Sequence, residues 1–311
     1  MNEEPIDSEV TLGGVYGFGG NNFEFSINPD FSQVEADQSK IDVNSTTALR
    51  FEEKRIFFNE GKDFLSSDLA TVYTRSINDP EYAIKLYNRG EKHSYYFLDA
   101  EDANTPIIVP GYQRSYSGLL GKSHANILSY NYNIERGQNI GFLATNRNFE
   151  EGGNSSLYSL KGNFLFSEIY GAQFEIVSTD MDEPISDAIS TSNVSKEHTY
   201  NLDGESFSGY GGAFGVSRDT ENWSSKYYFA TKSPNFRSDL GFTTENNWKK
   251  HSLSHKYKYR SNGLIRSGNI EIRKDLMTDY DGNIIDQETV LSLRAELENQ
   301  LNFDASWDNS H

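Results

Sequence analysis

Hydrophobic and polar residues alternate along most of the chain, which is typical of strands with one apolar and one polar face. Between Leu128 and Ile134, for example, every second residue is apolar and the residues between are Ser, Asn and Glu. The same period covers residues 23–27, 158–166, 170–176, 210–216, 223–229 and 253–259. No segment shows a convincing helical period, so the pattern predicts an all-β protein.

The longest alternating run predicts a strand with an apolar face made of odd positions. Its members are Leu291, Leu293, Ala295, Leu297, Leu301, Phe303, Ala305 and Trp307, interrupted only by Asn299. Residues 292–299 have a composition that suits a helix, but the strict parity favours strand. We expect the odd positions from 291 to 297 to share one face and the even positions to share the other.

Turn signals separate the alternating runs. Gly and Asn cluster at residues 136–139, 150–154 and 281–283, while residues 180–201 are polar and rich in Ser and Thr. The short clusters predict hairpin turns, and the longer segment predicts a mobile loop. About fourteen strand-like segments approach the 9–11 residues that a tilted membrane-spanning strand needs. Near-continuous antiparallel pairing is the simplest topology for them.

Residues 28–65 break the alternation. Charges of both signs are dense here, and they lie beside Phe51, Ile56, Phe57 and Phe58. We expect a compact irregular segment anchored by ion pairs rather than a membrane-spanning strand. The residues we single out for this anchoring, or for ligand binding, are Glu35, Asp37, Glu52, Glu53, Lys54 and Arg55.

Composition narrows the class of protein. The chain has 311 residues, 46 acidic against 28 basic ones and a formal charge of −18, which argues against nucleic-acid binding. Aromatic residues reach 14%, too many for a disordered chain. Cysteine is absent, which removes disulfides and thiol chemistry. The sequence lacks an apolar stretch of about 18 residues and a signal peptide at its start, but neither fact argues against membrane-spanning β-strands.

Four separated blocks carry a family resemblance. Residues 28–37 (NPDFSQVEAD), 51–61 (FEEKRIFFNEG), 140–147 (IGFLATNR) and 233–242 (SPNFRSDLGF) stand in this order. They resemble a family of Gram-negative outer-membrane β-barrel proteins of unassigned function, which often follow a family 9-type carbohydrate-binding module. The resemblance covers residues 10 to 250 or so. It implies location and architecture but no reaction.

The resemblance and the alternation together predict an antiparallel, up-and-down transmembrane β-barrel. We expect residues 1–311 to form this barrel domain or a fragment of it, in which case the chain is the middle of a longer protein. The irregular segment 28–65 is our candidate for an element that plugs the lumen. The predicted environment is the outer membrane, with membrane lipid as partner.

The candidate motifs for nucleotide and metal binding lack the neighbouring residues or the secondary structure that such sites need. The sequence 118–123 (GLLGKS) lacks the first glycine of a phosphate loop and precedes a strand rather than a helix. His251 and His255 are about 13 Å apart on a strand, too far to share a metal. Asp279, Asp281 and Asn283 fit an Asp-Gly hairpin turn better than a calcium loop. We therefore predict no cofactor and no metal site.

Two functional hypotheses remain open. The first is an integral outer-membrane barrel with a transport, export or surface-display role and no assigned reaction. The alternative is a soluble or surface β-rich carbohydrate-binding protein or glycoside hydrolase, in which the aromatic residues form the core and stack on sugars. A glycoside hydrolase needs two carboxyl groups about 5–10 Å apart, which a sequence cannot show. A carbohydrate or another solute is the ligand that either hypothesis allows.

Overall fold

A computed structural model describes residues 10–29, 48–135, 137–195 and 198–310, which form an all-β protein with one large antiparallel sheet. The sheet has 14 strands. They are β1 (Leu12–Phe18), β2 (Asn21–Ile27), β3 (Pro80–Arg89), β4 (His93–Asp102), β7 (Ser123–Asn133), β8 (Asn139–Phe149), β9 (Asn154–Phe166), β10 (Tyr170–Asp182), β13 (Ser206–Asp219), β14 (Trp223–Lys232), β15 (Trp248–Arg260), β16 (Ile265–Thr278), β17 (Ile284–Leu297) and β18 (Asn302–Ser310).

Smaller elements lie between these strands. Strands β5 (Thr105–Gly111) and β6 (Arg114–Leu120) form one hairpin, and β11 (Ile185–Ser186) pairs with β12 (Leu202–Asp203). The helical elements of the described residues are short: α1 (Ile56–Asn59) and two 3-10 helices, Lys62–Leu65 and Thr74–Ser76. No helix in the described part of the chain is long and apolar enough to span a membrane.

The large sheet is an up-and-down meander. Each strand pairs with the next one in the sequence, except where β4 pairs with β7 and β10 with β13 because the small hairpins leave the sheet. Strands β1 and β18 are its two edges in the described residues. The predicted antiparallel topology is therefore confirmed. The strand number agrees with the predicted fourteen, although β1 and β2 have only seven residues each.

The connections at the two ends of the sheet differ in length. At one end, which we call the turn end, the seven connections are the short segments 19–20, 90–92, 134–138, 167–169, 220–222, 261–264 and 298–301. At the opposite end, the loop end, the connections include 28–79, 103–122, 183–205 and 233–247. All of the long connections thus leave and re-enter the sheet on one side.

The outer face of the sheet is apolar and uncovered. Paired strands place large side chains side by side on it, as in Phe142 with Leu160 and Leu160 with Ile176. Tyr158, Ile176 and Leu253 are 50%, 63% and 56% exposed. The same face continues through Phe214, Phe229, Ile272, Leu291 and Trp307 on the later strands.

The inner face of the sheet is mixed, and its first half is covered. From β3 to β14 the long connections pack on it, so that Leu98, Ile127 and Leu157 are buried there together with charged residues such as Lys85 and Arg147. From β15 to β18 the inner face carries solvent-accessible ion pairs such as Lys256 with Glu271 and Arg273 with Glu288. The inner face is therefore covered from β3 to β14 and solvent-accessible from β15 to β18.

Two local predictions need correction. The run 291–307 is a hairpin and not one strand, because residues 298–301 turn the chain between β17 and β18. Odd residues pair with odd residues across this turn, such as Leu291 with Trp307 and Leu293 with Ala305, so the shared apolar face is kept. The segment 180–201, predicted as a loop, begins inside β10 and contains β11, and it buries Ile189 and Tyr200.

Candidate functional site

A folded segment, residues 48–79, packs against the inner face of the sheet, and we call it the inner segment. Its apolar residues Phe58, Phe64, Leu65 and Ile77 are buried. They form one core with residues of the inner face, namely Ala83, Tyr96, Leu98, Ala100, Ala125, Ile127 and Leu143, and with Leu240. Burying these side chains is favourable at roughly 25 cal/mol per Å², which holds the segment against the inner face of the sheet. We call the strands of the large sheet, seen from the segment, the wall.

A buried ion pair on the wall holds the helical part of this segment. The Lys85 Nζ on β3 lies 2.8 Å from a carboxylate oxygen of Glu24 on β2, and both side chains are buried. The same ammonium donates hydrogen bonds to the backbone carbonyls of Phe57 at 2.6 Å and Glu60 at 3.1 Å. It also lies 4.7 Å from the centre of the Phe57 ring, a cation–π contact. Lys85 therefore satisfies two carbonyls at the end of α1.

Other wall residues donate to backbone carbonyls of the inner segment. Ser129 Oγ donates to Phe64 O at 2.8 Å, and Lys161 Nζ donates to Ser66 O at 2.6 Å. Arg147 on β8 is fully buried and donates from Nη2 to the carbonyl of Ser76 at 2.9 Å, and these donors replace water around an irregular backbone.

Two wall carboxylates accept from backbone N–H groups of the same segment. Glu175 on β10 accepts from the Asp68 N–H at 2.8 Å and from the hydroxyls of Ser67 and Ser159. Asp102 on β4 accepts from the N–H groups of residues 78 and 79, at 3.0 and 2.7 Å. The sheet thus binds both the N–H and the C=O groups of the segment's backbone, and the charged residues that do so come from five strands, β3, β4, β8, β9 and β10.

Three of the blocks that carry the family resemblance meet around the inner segment. Residues 51–61 belong to it, and Arg147 from the block 140–147 contacts it. The third block, 233–242, lies on its other side, where Tyr73 N donates to Leu240 O at 2.7 Å and Phe242 N to Ala70 O at 3.0 Å. The block 28–37 lies outside the described residues beyond position 29.

The predicted site residues occupy different environments. Arg55 is buried and pairs with Glu53 of the same segment at 2.8 Å, and its guanidinium also donates to the carbonyls of Ile77 and Thr74. Glu52 and Lys54 are exposed, and the Glu52 carbonyl accepts from Arg75 at 2.9 Å. Glu35 and Asp37 lie outside the described residues. Glu53 and Arg55 both belong to the inner segment, so their ion pair connects parts of the segment to each other and not to the sheet.

The carboxyl of Glu53 is stabilised in its ionised form. Burial by itself opposes ionisation, but the hydrogen bonds and charge of Arg55, with a hydrogen bond from Thr74, outweigh it. The pKa of Glu53 therefore lies below its usual value of 4.5. The charged form is the one that organises residues 53–78.

A cavity of about 530 Å³ lies between the inner segment and the wall near the turn end. Polar side chains dominate its lining, and five of them are amides: Asn131, Asn133, Asn139, Asn163 and Gln173. The carboxylates that line it are each engaged: Asp63 with Arg89, Asp68 with Gln173, and Glu175 as above. Amide groups offer both donors and acceptors, which suits a neutral polyhydroxylated solute such as a carbohydrate.

The loop end carries a second buried charge cluster. Arg237, in the connection 233–247, is buried and donates to Glu183 at 2.6 Å and to Asp239 at 2.8 Å. Burial raises the pKa of the Glu183 carboxyl to about 7, and the neighbouring charges of Asp203, Asp239 and Glu205 add to this rise against the opposing effect of Arg237. Glu183 and Arg237 together tie two of the long connections to each other.

Sequence reasoning missed the wall residues that hold the segment, namely Glu24, Lys85, Asp102, Ser129, Arg147, Lys161 and Glu175. On alternating strands a polar residue at every second position is the ordinary pattern of a solvated face. The one signal available was charge: Glu24 stands alone between Phe23 and Phe25, and Lys85 between Ile84 and Leu86.

Comparison with known proteins adds no relative: no protein-family model matches the chain, and no similar curated protein was found. The resemblance described above therefore stays a prediction from the sequence.

Proposed function

We propose that this chain forms the wall of an outer-membrane β-barrel, or a large part of that wall, with the inner segment lying in the lumen. Its role would be transport, export or surface display, and a small neutral polar solute, with carbohydrate as the leading class, would occupy the cavity beside the segment. The proposal assigns no chemical reaction to the protein.

One observation carries this proposal: the sheet leaves large apolar side chains exposed on its outer face and buries charged side chains on its inner face. Large apolar side chains such as Tyr158, Ile176 and Leu253 are at least half exposed on the outer face, whereas Lys85 and Arg147 on the inner face are 0% exposed. A soluble sandwich would bury the apolar face and hydrate the charges. A bilayer around the sheet removes this conflict, since the outer face then meets hydrocarbon.

Strand length and connection length support the same proposal. Strands β7–β10, β13 and β15–β17 have 11–14 residues, enough to cross a bilayer at the tilt of barrel strands, which takes about 9–11 residues. Short turns at one end and long loops at the other are a regular feature of outer-membrane barrels.

Solubility is the property that tests the proposal. The full chain would be refolded from urea into buffer alone, into detergent micelles and into lipid vesicles, and its mobility on gels compared before and after boiling. We expect a heat-sensitive mobility shift only with detergent or lipid, because the outer face needs an apolar environment. A chain that folds in buffer alone as a monodisperse species would overturn the barrel and favour the soluble alternative.

Carbohydrate binding without membrane insertion is the second candidate, and the amide-lined cavity is the observation that favours it. In that case the refolded chain would bind neutral oligosaccharides in plain buffer, and substitution of Asn163 by Leu would weaken this binding. The glycoside hydrolase version has less support, because the carboxylates of the cavity are committed to Arg89, Gln173 and the inner segment.

A further inference from the structure

Three carboxylates converge at the loop end of the sheet. Glu183, Asp203 and Glu205 each place one carboxylate oxygen within 4.8 Å of the other two. The backbone sets this arrangement: Glu183 N donates to Glu205 O at 2.9 Å, and Ile185 pairs with Asp203 in the β11–β12 ladder. Between Asp203 and Glu205, Gly204 has φ +87°, a left-handed conformation that favours glycine and lets the chain turn between the two acids.

The charge of this cluster is not balanced by its described neighbours. Arg237 is the cation in contact with Glu183, and it is shared with Asp239. Thr199 supplies neutral hydrogen bonds, from its N–H to Glu205 and from its hydroxyl to Asp203. His198 Nδ1 lies 3.6 Å from a Glu205 oxygen. Among the described residues, four carboxylates, including that of Asp239, thus face one guanidinium and one histidine.

A second observation concerns the buried carboxylate of Glu183 in this cluster. The Oε1 of Glu183 accepts from Arg237, but its Oε2 is buried and has no hydrogen-bond partner among the described residues. The Glu183 side chain is 1% exposed, so water does not reach it from the surface.

We propose that Glu183, Asp203 and Glu205 bind a calcium ion. Carboxylate oxygens are the ligands of hard divalent cations, and calcium accepts the irregular geometry of a loop site, with backbone carbonyls and water completing its shell. The ion would neutralise the excess negative charge and bind the Oε2 of Glu183, which has no hydrogen-bond partner among the described residues. It would also fasten the connection 183–205 to the connection 233–247 through Arg237. The affinity expected of such a partly exposed loop site is weak, with Kd on the order of 0.1–1 mM.

Calorimetric titration of the folded full chain with calcium chloride, after treatment with a chelator, tests this site. Asp203→Asn is the main variant, because Asp203 is exposed and its loss should leave the fold intact. We expect it to weaken calcium binding at least about tenfold, as the loss of one charged ligand does. Asp187→Asn, an exposed acid in the same connection, is the matched control and should bind as the wild type does.

Glu205→Gln gives an independent second variant, because the amide oxygen can still accept from Thr199 N–H while the charge is lost. We expect weakened calcium binding here as well. Saturable binding to the wild type and Asp187→Asn that is reduced in both site variants supports the proposal. The absence of binding at millimolar calcium, equal binding by Asp203→Asn, or binding of zinc but not calcium would each overturn it.

Discussion

The ammonium of Lys85 on β3 and the carboxylate of Glu24 on β2 lie 2.8 Å apart with both side chains buried. Two buried charges are costly unless they are paired and hydrogen-bonded, and here the cation also satisfies two backbone carbonyls of the inner segment. This pair joins the edge region of the sheet to the segment that fills it. The contribution of this ion pair to the free energy of unfolding can therefore be measured with a substitution.

Lys85→Met should strongly destabilise the protein, because Glu24 then stays buried without its counter-charge and the carbonyls of Phe57 and Glu60 lose a donor. We expect a loss of roughly 3–5 kcal/mol in the free energy of unfolding, measured by denaturant titration in detergent micelles. Lys256→Met is the matched control: its pair with Glu271 is one-third exposed and should contribute less than about 1 kcal/mol. Equal losses in both variants would contradict the buried role of Lys85.

Lowering the pH should reduce the stability of the inner segment, because Glu53 becomes protonated. The folded pKa of Glu53 lies below 4.5, so its contribution to stability is fully present above pH 4.5 and is lost as the pH falls through the lower folded value. Glu53→Gln should cost roughly 1.5–3 kcal/mol at pH 7, with a difference from wild type that shrinks below pH 4.5. The measurement is the unfolding free energy at a series of pH values. Glu52→Gln, at an exposed neighbour, is the control and should follow the wild-type profile.

The two faces of β17 should respond in opposite ways to charge. Leu293 lies on the apolar outer face, opposite Ala305, and Arg294 lies on the inner face 3.0 Å from Asp304. Leu293→Arg should impair folding into micelles or vesicles, since a cation near the bilayer midplane costs about 2–4 kcal/mol. Arg294→Gln should be nearly silent. The heat-sensitive gel shift reports both, and equal folding of the two variants would mean that the face assignment is wrong.

Permeability should depend on the contact between Lys161 and the inner segment. Lys161 Nζ donates to Ser66 O at 2.6 Å at the border of the amide-lined cavity. Lys161→Met removes this contact, so vesicles that contain the variant should swell faster in neutral sugars than vesicles with the wild type. Lys256→Met again serves as control because its partner is Glu271 on the open inner face. Unchanged swelling in Lys161→Met would show that this part of the segment does not limit passage.

The sequence by itself determined the strands and their faces, because side chains alternate with a period of two whatever the neighbouring strand is. Their odd positions placed Leu291 and Leu293 on one face. The chain turns back at residues 298–301, but this hairpin pairs odd residues with odd ones, so the face assignment is kept. The sequence also predicted an irregular segment over residues 28–65, and the described residues 48–65 of this range hold only α1 and one 3-10 helix. The ion pair of Glu53 with Arg55 lay within reach of sequence reasoning because its members are two residues apart.

Only the tertiary structure decided what holds the irregular segment and what gathers at the loop end. Lys85 and Arg147 donate to carbonyls 25 to 71 positions away along the chain, and such contacts leave no local period in a sequence. Glu183 meets Asp203 and Glu205 because the β11–β12 pairing closes a connection that reads as a plain polar loop. Alternation fixes which way a side chain points, but strand order and chain reversal determine what it meets there.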